Sequence, residues 1–411
     1  MVRILSLLVA LALGLMPFTS WGQARPPIKI GLLLPYTGPL SIQGQDTTKG
    51  LELFLAKVGG KAAGREIQLV REDDEAKPDV GLTKVKRLVE RERVDFLVGP
   101  VSSAVVLAIR DYVHDTYVKE ANDKSGKDKG VPLIVPVAFT RALSAPGLGF
   151  SPTIFRTIET SDQGDYPMGA WLMKNTKYRK LIVMASDFVA GHHASEAFIA
   201  GYKAAGGEVV KVIHAPLNTA DFAPYLTQAA SFNADAVWAW FAGADSIRIV
   251  KQYKEYGLAE KMPLIGYNTL VDDTILPAQG DSALGILTIA TYTAAIDTPE
   301  NKAFVREYEG KHGIWPSRYA ESGYVVGQLV TTALEMVGGD MNYRGKVRDA
   351  LKRALPQIKP PRGPLSFDAY NQIICPIYIM KVEKQGSRMI NAVVDKIPAV
   401  SQEATWGWWK K

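Results

Sequence analysis

One cysteine and five histidines are all that 411 residues contain, and that scarcity excludes several kinds of protein. Cys375 has no partner for an internal disulfide, and it stands too far from the start of the chain to be a lipid-anchor cysteine. Its setting, Ile-Ile-Cys-Pro-Ile-Tyr-Ile, reads as a strand and a buried, inert thiol. Enzyme signatures are missing as well. There is no Gly-x-Ser-x-Gly elbow, no Walker A loop, no His-Glu-x-x-His and no Cys-x-x-Cys, and Gly147-Leu-Gly149 stops short of a dinucleotide-binding fingerprint. His192 and His193 with Glu196 do not make a metal site, because adjacent residues on a helix point in different directions. Asp73-Asp74-Glu75 reads as an acidic turn with N-cap character before a helix, not as a cation site. No metal and no cofactor are expected. Net charge is small, +6 from 48 basic and 42 acidic residues, and the basic residues are scattered without interleaved aromatics. That pattern excludes nucleic acid as a partner.

The first 24 residues are the one place where an apolar run dominates. Arg3 precedes an almost unbroken apolar stretch, Ile4–Met16, which Pro17 ends; small residues follow to Gly22-Gln23-Ala24. This is the pattern of a secretory leader cleaved after Ala24, and the run is too short to span a bilayer, which takes ~20 residues. Export without disulfides points to a bacterial periplasm. The 387 residues that remain (411 minus 24) suffice for two domains. The charged stretch Lys119–Lys129 reads as a solvated surface insertion, and the tail Trp406-Gly-Trp-Trp as indoles packed on the body.

Beyond the leader, strand and helix patterns alternate. Strands are expected at 28–34, 67–71, 95–98 and 133–135, then at 181–185, 208–213, 236–240 and 264–267, with helical patterns between them. Each strand is a short continuous apolar run, the mark of burial on both faces in a parallel sheet covered by helices. The fold class is therefore α/β, with two doubly wound parallel-sheet lobes. One further strand and two long helices, 300–311 and 320–337, follow Gly285, and the strand 377–382 closes the chain. Polar loops at the strand ends are the candidate site, since open α/β sheets bind ligands at the carboxyl ends of their strands. Ile28–Gly44 runs from a strand through a Gly/Pro turn into a helix. Gly99-Pro-Val-Ser102-Ser103-Ala104 opens another helix, where free N–H groups and hydroxyls suit a carboxylate. One hydroxyl can cap that helix, which leaves the other spare. Pro136-Val-Ala138-Phe139-Thr140 follows the next strand.

The collinear order of these stretches, with Phe155-Arg156-Thr157, Asp221-Phe222, Ala234-Asp235-Ala236, Phe304–Tyr308 and Gly363-Pro-Leu-Ser-Phe-Asp368, resembles the periplasmic solute-binding proteins of the branched-chain amino acid type. The resemblance covers essentially the whole mature chain. It implies a class I periplasmic binding fold whose lobes are joined by a three-crossover hinge, with residues 25–154 and 290–365 in lobe 1 and 155–289 and 366–411 in lobe 2. It also implies a monomer that carries a small molecule to an ABC transporter permease in the inner membrane. In such relatives the first lobe holds a carboxylate. Here that role would fall on Ser103, with Ser102 beside it, and on Ala138, Phe139 and Thr140; Gln43 joins them from the opening stretch.

The second lobe departs from the amino acid pattern. A Tyr-Gly turn becomes Ala190-Gly191, with Phe188 close by; a Tyr-Tyr-Gly-like strand end becomes Trp240-Phe241-Ala242-Gly243; and Asn268, after Tyr267, stands where a Glu would pair with the ligand ammonium. A buried ammonium needs a charged partner. Phe139, Phe241 and Tyr267 instead suit a planar ring. The expected ligand is an aromatic carboxylate of the benzoate or phenylpropenoate kind, with Asn268 available to a ring hydroxyl. Branched-chain or other amino acids are the alternative. A ligand-sensing regulator of the same fold is a third reading, and no signalling domain accompanies it. An exported hydrolase would need a base beside Ser103, and the sequence supplies none there; of the histidines 114, 192, 193, 214 and 312, only 192 and 193 are candidates for the cleft loops.

Overall fold

A computed structural model describes residues 25–121, 130–145 and 147–408. The expectation for the leader falls outside the described residues, as do residues 122–129 of the charged stretch and the side chains of the tail indoles.

Short apolar runs build two sheets. The first holds β1 (Ile28–Leu34), β2 (Lys61–Ala62), β3 (Arg65–Asp73), β4 (Phe96–Val98), β5 (Leu133–Val135) and β6 (Ile154–Arg156), in the order β2-β3-β1-β4-β5-β6. Only the β2–β3 pair is antiparallel. Helices α1 (Ser41–Lys57), α2 (Pro78–Lys86) and α3 (Ser103–Ala121) connect its strands. The second sheet starts with β7 (Lys180–Ser186), β8 (Glu208–Ala215), β9 (Ala236–Trp240), β10 (Leu264–Tyr267) and β11 (Leu287–Ala290), all parallel. Its helices are α4 (Ser161–Asn175), α5 (Val189–Ala204), α6 (Ala223–Ala230), α7 (Ala244–Glu255) and the short α8 (Leu276–Gln279). The chain then returns to the first lobe for α9 (Pro299–His312), α10 (Arg318–Met336) and α11 (Arg344–Ala354), and ends in the second sheet with β12 (Ser366–Phe367), β13 (Ile373–Gln385) and β14 (Arg388–Val400).

Setting aside β2 in one sheet and β12–β14 in the other, both share one strand order: second, first, third, fourth, fifth. The order reverses between β1 and β4 in one lobe and between β7 and β9 in the other. Ligands bind at such reversals, outside the carboxyl ends of the strands. The two-lobed α/β class is as the sequence predicts. The expected closing strand 377–382 is part of β13, while its antiparallel partner β14 and helix α11 have no counterpart in the sequence reading. Helix α1 starts at Ser41, so the polar turn after β1 is shorter than the opening stretch suggested. α10 packs tightly along α1 because Gly50 and Gly323 carry no side chain: a Cβ on Gly323 would lie 1.9 Å from the Thr47 carbonyl oxygen.

Three crossings join the lobes. The domain boundary set after residue 154 falls inside β6, which pairs with β5 over its whole length, so the chain leaves the first lobe after Arg156. The crossings run at about 157–160, 291–298 and 358–365. A buried polar network ties them to one another. Thr291 Oγ1 on the second crossing donates to Glu159 on the first (2.9 Å). Arg362 on the third donates to that same hydroxyl (3.4 Å) and to the Thr157 carbonyl (3.3 Å). Arg362 also forms an ion pair with Glu321 of α10, and both side chains are fully buried. Cys375 is buried in β13, and burial pushes its thiol well above the ordinary range.

Candidate functional site

The carboxyl ends of both sheets enclose a cavity of about 30 Å³, far below the roughly 300–1,000 Å³ usual for an open small-molecule pocket, because the closed lobes bring its lining side chains together. Gln43, Ser103 and Phe139 line it from the first lobe; Phe188, Ala190 and Trp240 line it from the second. Thr269, Arg318 and Tyr319 also reach it. A larger open groove lies between α9 and the β13–β14 hairpin, away from the strand ends, and its Lys302 is already paired with Asp297.

Local geometry divides the two serines as the helix start requires. Ser102 caps α3, its Oγ accepting the Val105 N–H (3.4 Å). Ser103, the first helical residue, is the spare one: its Oγ accepts the Phe139 N–H (3.2 Å) and lines the cavity. A hydroxyl and a backbone amide therefore meet at a helix N-terminus, where partial positive charge favours an anion. Across the cavity, Phe139 lies 4.8 Å from the Tyr267 ring and 6.2 Å from Trp240, and Phe188 lies 5.6 Å from Trp240 (centroid distances). These are ordinary aromatic packing distances.

Arg318 is the one cation in the lining, and no Asp or Glu lines the cavity. It opens α10 and is 2% exposed. One Nη2 donates to Glu159 and to the Tyr267 hydroxyl, each at 2.7 Å, while Nε has no partner among the described residues. Sequence reasoning missed Arg318, Thr269 and Tyr319. Arg318 carries no local signal; only the return of α10 to the cleft brings it beside Ser103.

Several expected residues, Ser102 among them, do not line the cavity. Phe241 packs edge-on against Phe222 (5.3 Å) in the outer core of the second lobe, and Trp240 occupies the cavity wall instead, because successive strand residues face opposite ways. Thr140 turns away to bond His193 Nδ1 (2.9 Å) and to cap a short 3₁₀ turn. The Ala138 carbonyl accepts from Arg156 Nη2 (2.7 Å) and so supports the loop from behind. Asn268 is fully buried and does not line the cavity; its neighbour Thr269 does. Tyr267 also stands outside the lining but holds Arg318 and Phe139. The acidic turn holds the loop after β1 rather than capping α2: Asp73 accepts the Tyr36 N–H (2.9 Å) and the Thr37 hydroxyl (2.7 Å), and the α2 N-cap residue is Lys77.

The lobes are closed on one another. With its amide oriented to suit both neighbours, Gln43 of α1 donates to the Leu40 carbonyl and accepts the Gly243 N–H of the second lobe, each at 2.9 Å. Arg141 bridges Asp162 (2.9 Å) and Glu196. The Thr140–His193 bond is a third link across the cleft. Burial, helped by the nearby Arg141 charge, pushes His193 down to about 4; in an open form the ring would return towards its ordinary 6.5. A group with a depressed pKa supports the closed form fully above the open value and loses that support as pH falls towards the closed one. Ligand affinity should thus weaken by about tenfold at pH 5.5 through this residue. Asp272 is pushed the other way, up to about 6 by burial and by Asp46. The His193 share is therefore read as the difference between the wild-type and His193→Asn affinity profiles from pH 7.5 to 5. Identical profiles would remove the latch.

The chain matches the periplasmic binding protein family over residues 27–387 and belongs to that family. Its neighbours among solved structures are ABC transporter substrate-binding proteins of the class I fold. A solute-binding protein from R. palustris in complex with benzoate has a TM-score of 0.82 and is 30% identical, covering 92% of this chain and 98% of its own. Another, from Rhodopseudomonas palustris BisB5 in complex with 3,4-dihydroxybenzoic acid, has a TM-score of 0.82 at 31% identity, covering 92% and 99%. A Leu/Ile/Val-binding protein homolog from Brucella melitensis is 30% identical over 366 residues, 87% of this chain and 88% of that one. No helix among the described residues is long and apolar enough to cross a membrane.

Proposed function

We propose that this substrate-binding protein carries an aromatic carboxylate of the benzoate or phenylpropenoate kind through the periplasm to an inner-membrane ABC permease. The observation that carries the reading is the lining of the cavity: Phe139, Phe188 and Trp240 with one cation, Arg318, and no carboxylate. A ring packs among the rings. The ligand carboxylate takes the Ser103 hydroxyl at the α3 N-terminus, whose oxygen the Phe139 amide already holds in place, with Arg318 Nε adding a charged donor. An α-amino acid would bury an ammonium with nothing to neutralise it, which is costly. Benzoate and dihydroxybenzoate in the two neighbouring structures support the same reading. The names of the Leu/Ile/Val-binding relatives favour a branched-chain amino acid instead, and the uncharged second-lobe wall argues against it.

The chain makes no bond and breaks none. Its work is conformational: a ligand that touches both lobes stabilises the closed form by its differential affinity. The closed protein, a monomer once residues 1–24 are removed, then docks on the permease, whose ATPase supplies the energy. Thermal-shift measurements against benzoates, phenylpropenoates, leucine and valine test the assignment. A ligand present at a hundred times its Kd should stabilise by about 2.7 kcal/mol. We expect that shift with an aromatic acid. A shift with leucine or valine and none with the aromatic acids would overturn the reading.

A further inference from the structure

We propose that Trp240 and Thr269 form a recognition site for a ring hydroxyl, so that the preferred ligand is a hydroxylated aromatic acid and not the unsubstituted one. This rests on the aromatic-acid reading above. Both residues line the cavity, at 3% and 4% exposure. Trp240 Nε1 and Thr269 Oγ1 have no hydrogen-bond partner among the described residues. Buried polar groups in native proteins are nearly always paired, so two unpaired groups on residues that line one cavity point to what its occupant supplies. They also sit together. Trp240 ends β9, and Thr269 lies two residues past the end of β10; the two strands pair in parallel with Gly266 opposite Ala239.

The chemistry of the two atoms narrows the partner. An indole N–H only donates, whereas a threonine hydroxyl can accept as well as donate. A phenolic O–H answers both at once, accepting from Trp240 Nε1 and donating to Thr269 Oγ1. A carboxylate only accepts, and a methyl or methylene group answers neither. The carboxylate is held on the first lobe at Ser103, so the hydroxyl belongs on the part of the ring that faces the second lobe, away from the acid group. The residue the sequence offered for this task, Asn268, does not line the cavity; its neighbour takes the role.

Isothermal titration of the mature protein with benzoate, 3-hydroxybenzoate and 4-hydroxybenzoate tests the proposal. At least one hydroxy acid should bind about tenfold more tightly than benzoate, since benzoate leaves two buried groups unpaired. Thr269→Val keeps the shape and removes the hydroxyl; Trp240→Phe keeps a ring and removes the N–H. Each should shrink the preference to about threefold or less. Equal affinity for all three acids in the wild type, or a preference that neither substitution changes, overturns the subsite and leaves the aromatic-acid reading standing. Binding of leucine with none of the three acids overturns both.

Discussion

Replacing Arg362 by alanine is expected to cost about 3–5 kcal/mol of stability, the usual penalty for stranding one charge of a buried pair. Glu321 is fully buried, and it depends on the Arg362 guanidinium: Nε donates to Glu321 Oε2 at 2.7 Å, and Nη2 reaches that same oxygen. Nη2 also donates to the Ser322 hydroxyl (2.7 Å). Removing the arginine leaves a carboxylate, a hydroxyl and the Thr157 carbonyl short of a donor. The loss should appear as a lower midpoint in urea unfolding followed by tryptophan fluorescence. Substituting both partners together, Glu321→Met with Arg362→Met, should recover part of it, because no lone charge remains. A single variant within about 1 kcal/mol of wild type would show that the pair is not what holds the crossings.

Gly243→Ala is expected to weaken ligand binding by about 10–100-fold, beyond a loss of about 1–3 kcal/mol of fold stability from the strained backbone, which open and closed forms share. The residue sits at φ +64 on the second lobe, and a Cβ there would lie 2.3 Å from the Pro39 carbonyl oxygen on the first. That clash exists only when the lobes meet. Overpacking of this kind costs about 1–3 kcal/mol, which at about 1.4 kcal/mol per decade gives the stated range. The neighbouring Gln43–Gly243 hydrogen bond is disturbed by the same shift. Calorimetric titration gives the affinity, and small-angle scattering with ligand gives the compactness of the bound form. A variant that binds and compacts like wild type would mean that Gly243 does not limit closure.

The fold was legible because the sequence writes it locally. Runs such as Ile28–Leu34 and Ala236–Trp240 are apolar without alternation, and both became parallel strands buried on both faces. Ser102-Ser103 announced a capped helix with a hydroxyl to spare, and the structure assigns the two roles in that way. What failed depended on phase or distance. Phe241 and Trp240 are equally aromatic neighbours, and only the pairing of β9 with β7 and β10 decides which one faces the cleft. Thr140 reads as a hydroxyl at a strand end, and its capture by His193 needs the second lobe in position. Arg318 reads as an ordinary helix start; its meaning comes from Glu159, Tyr267 and Asp272, each from a different part of the chain.

The bonding of Glu159, Thr291 and Arg362 across the three crossings has a mechanical consequence. Connectors tied to one another resist sliding past each other, so the network favours rotation of the lobes over lateral shear. Each return swing then tends to bring the same atoms face to face, so the links across the cleft can re-form.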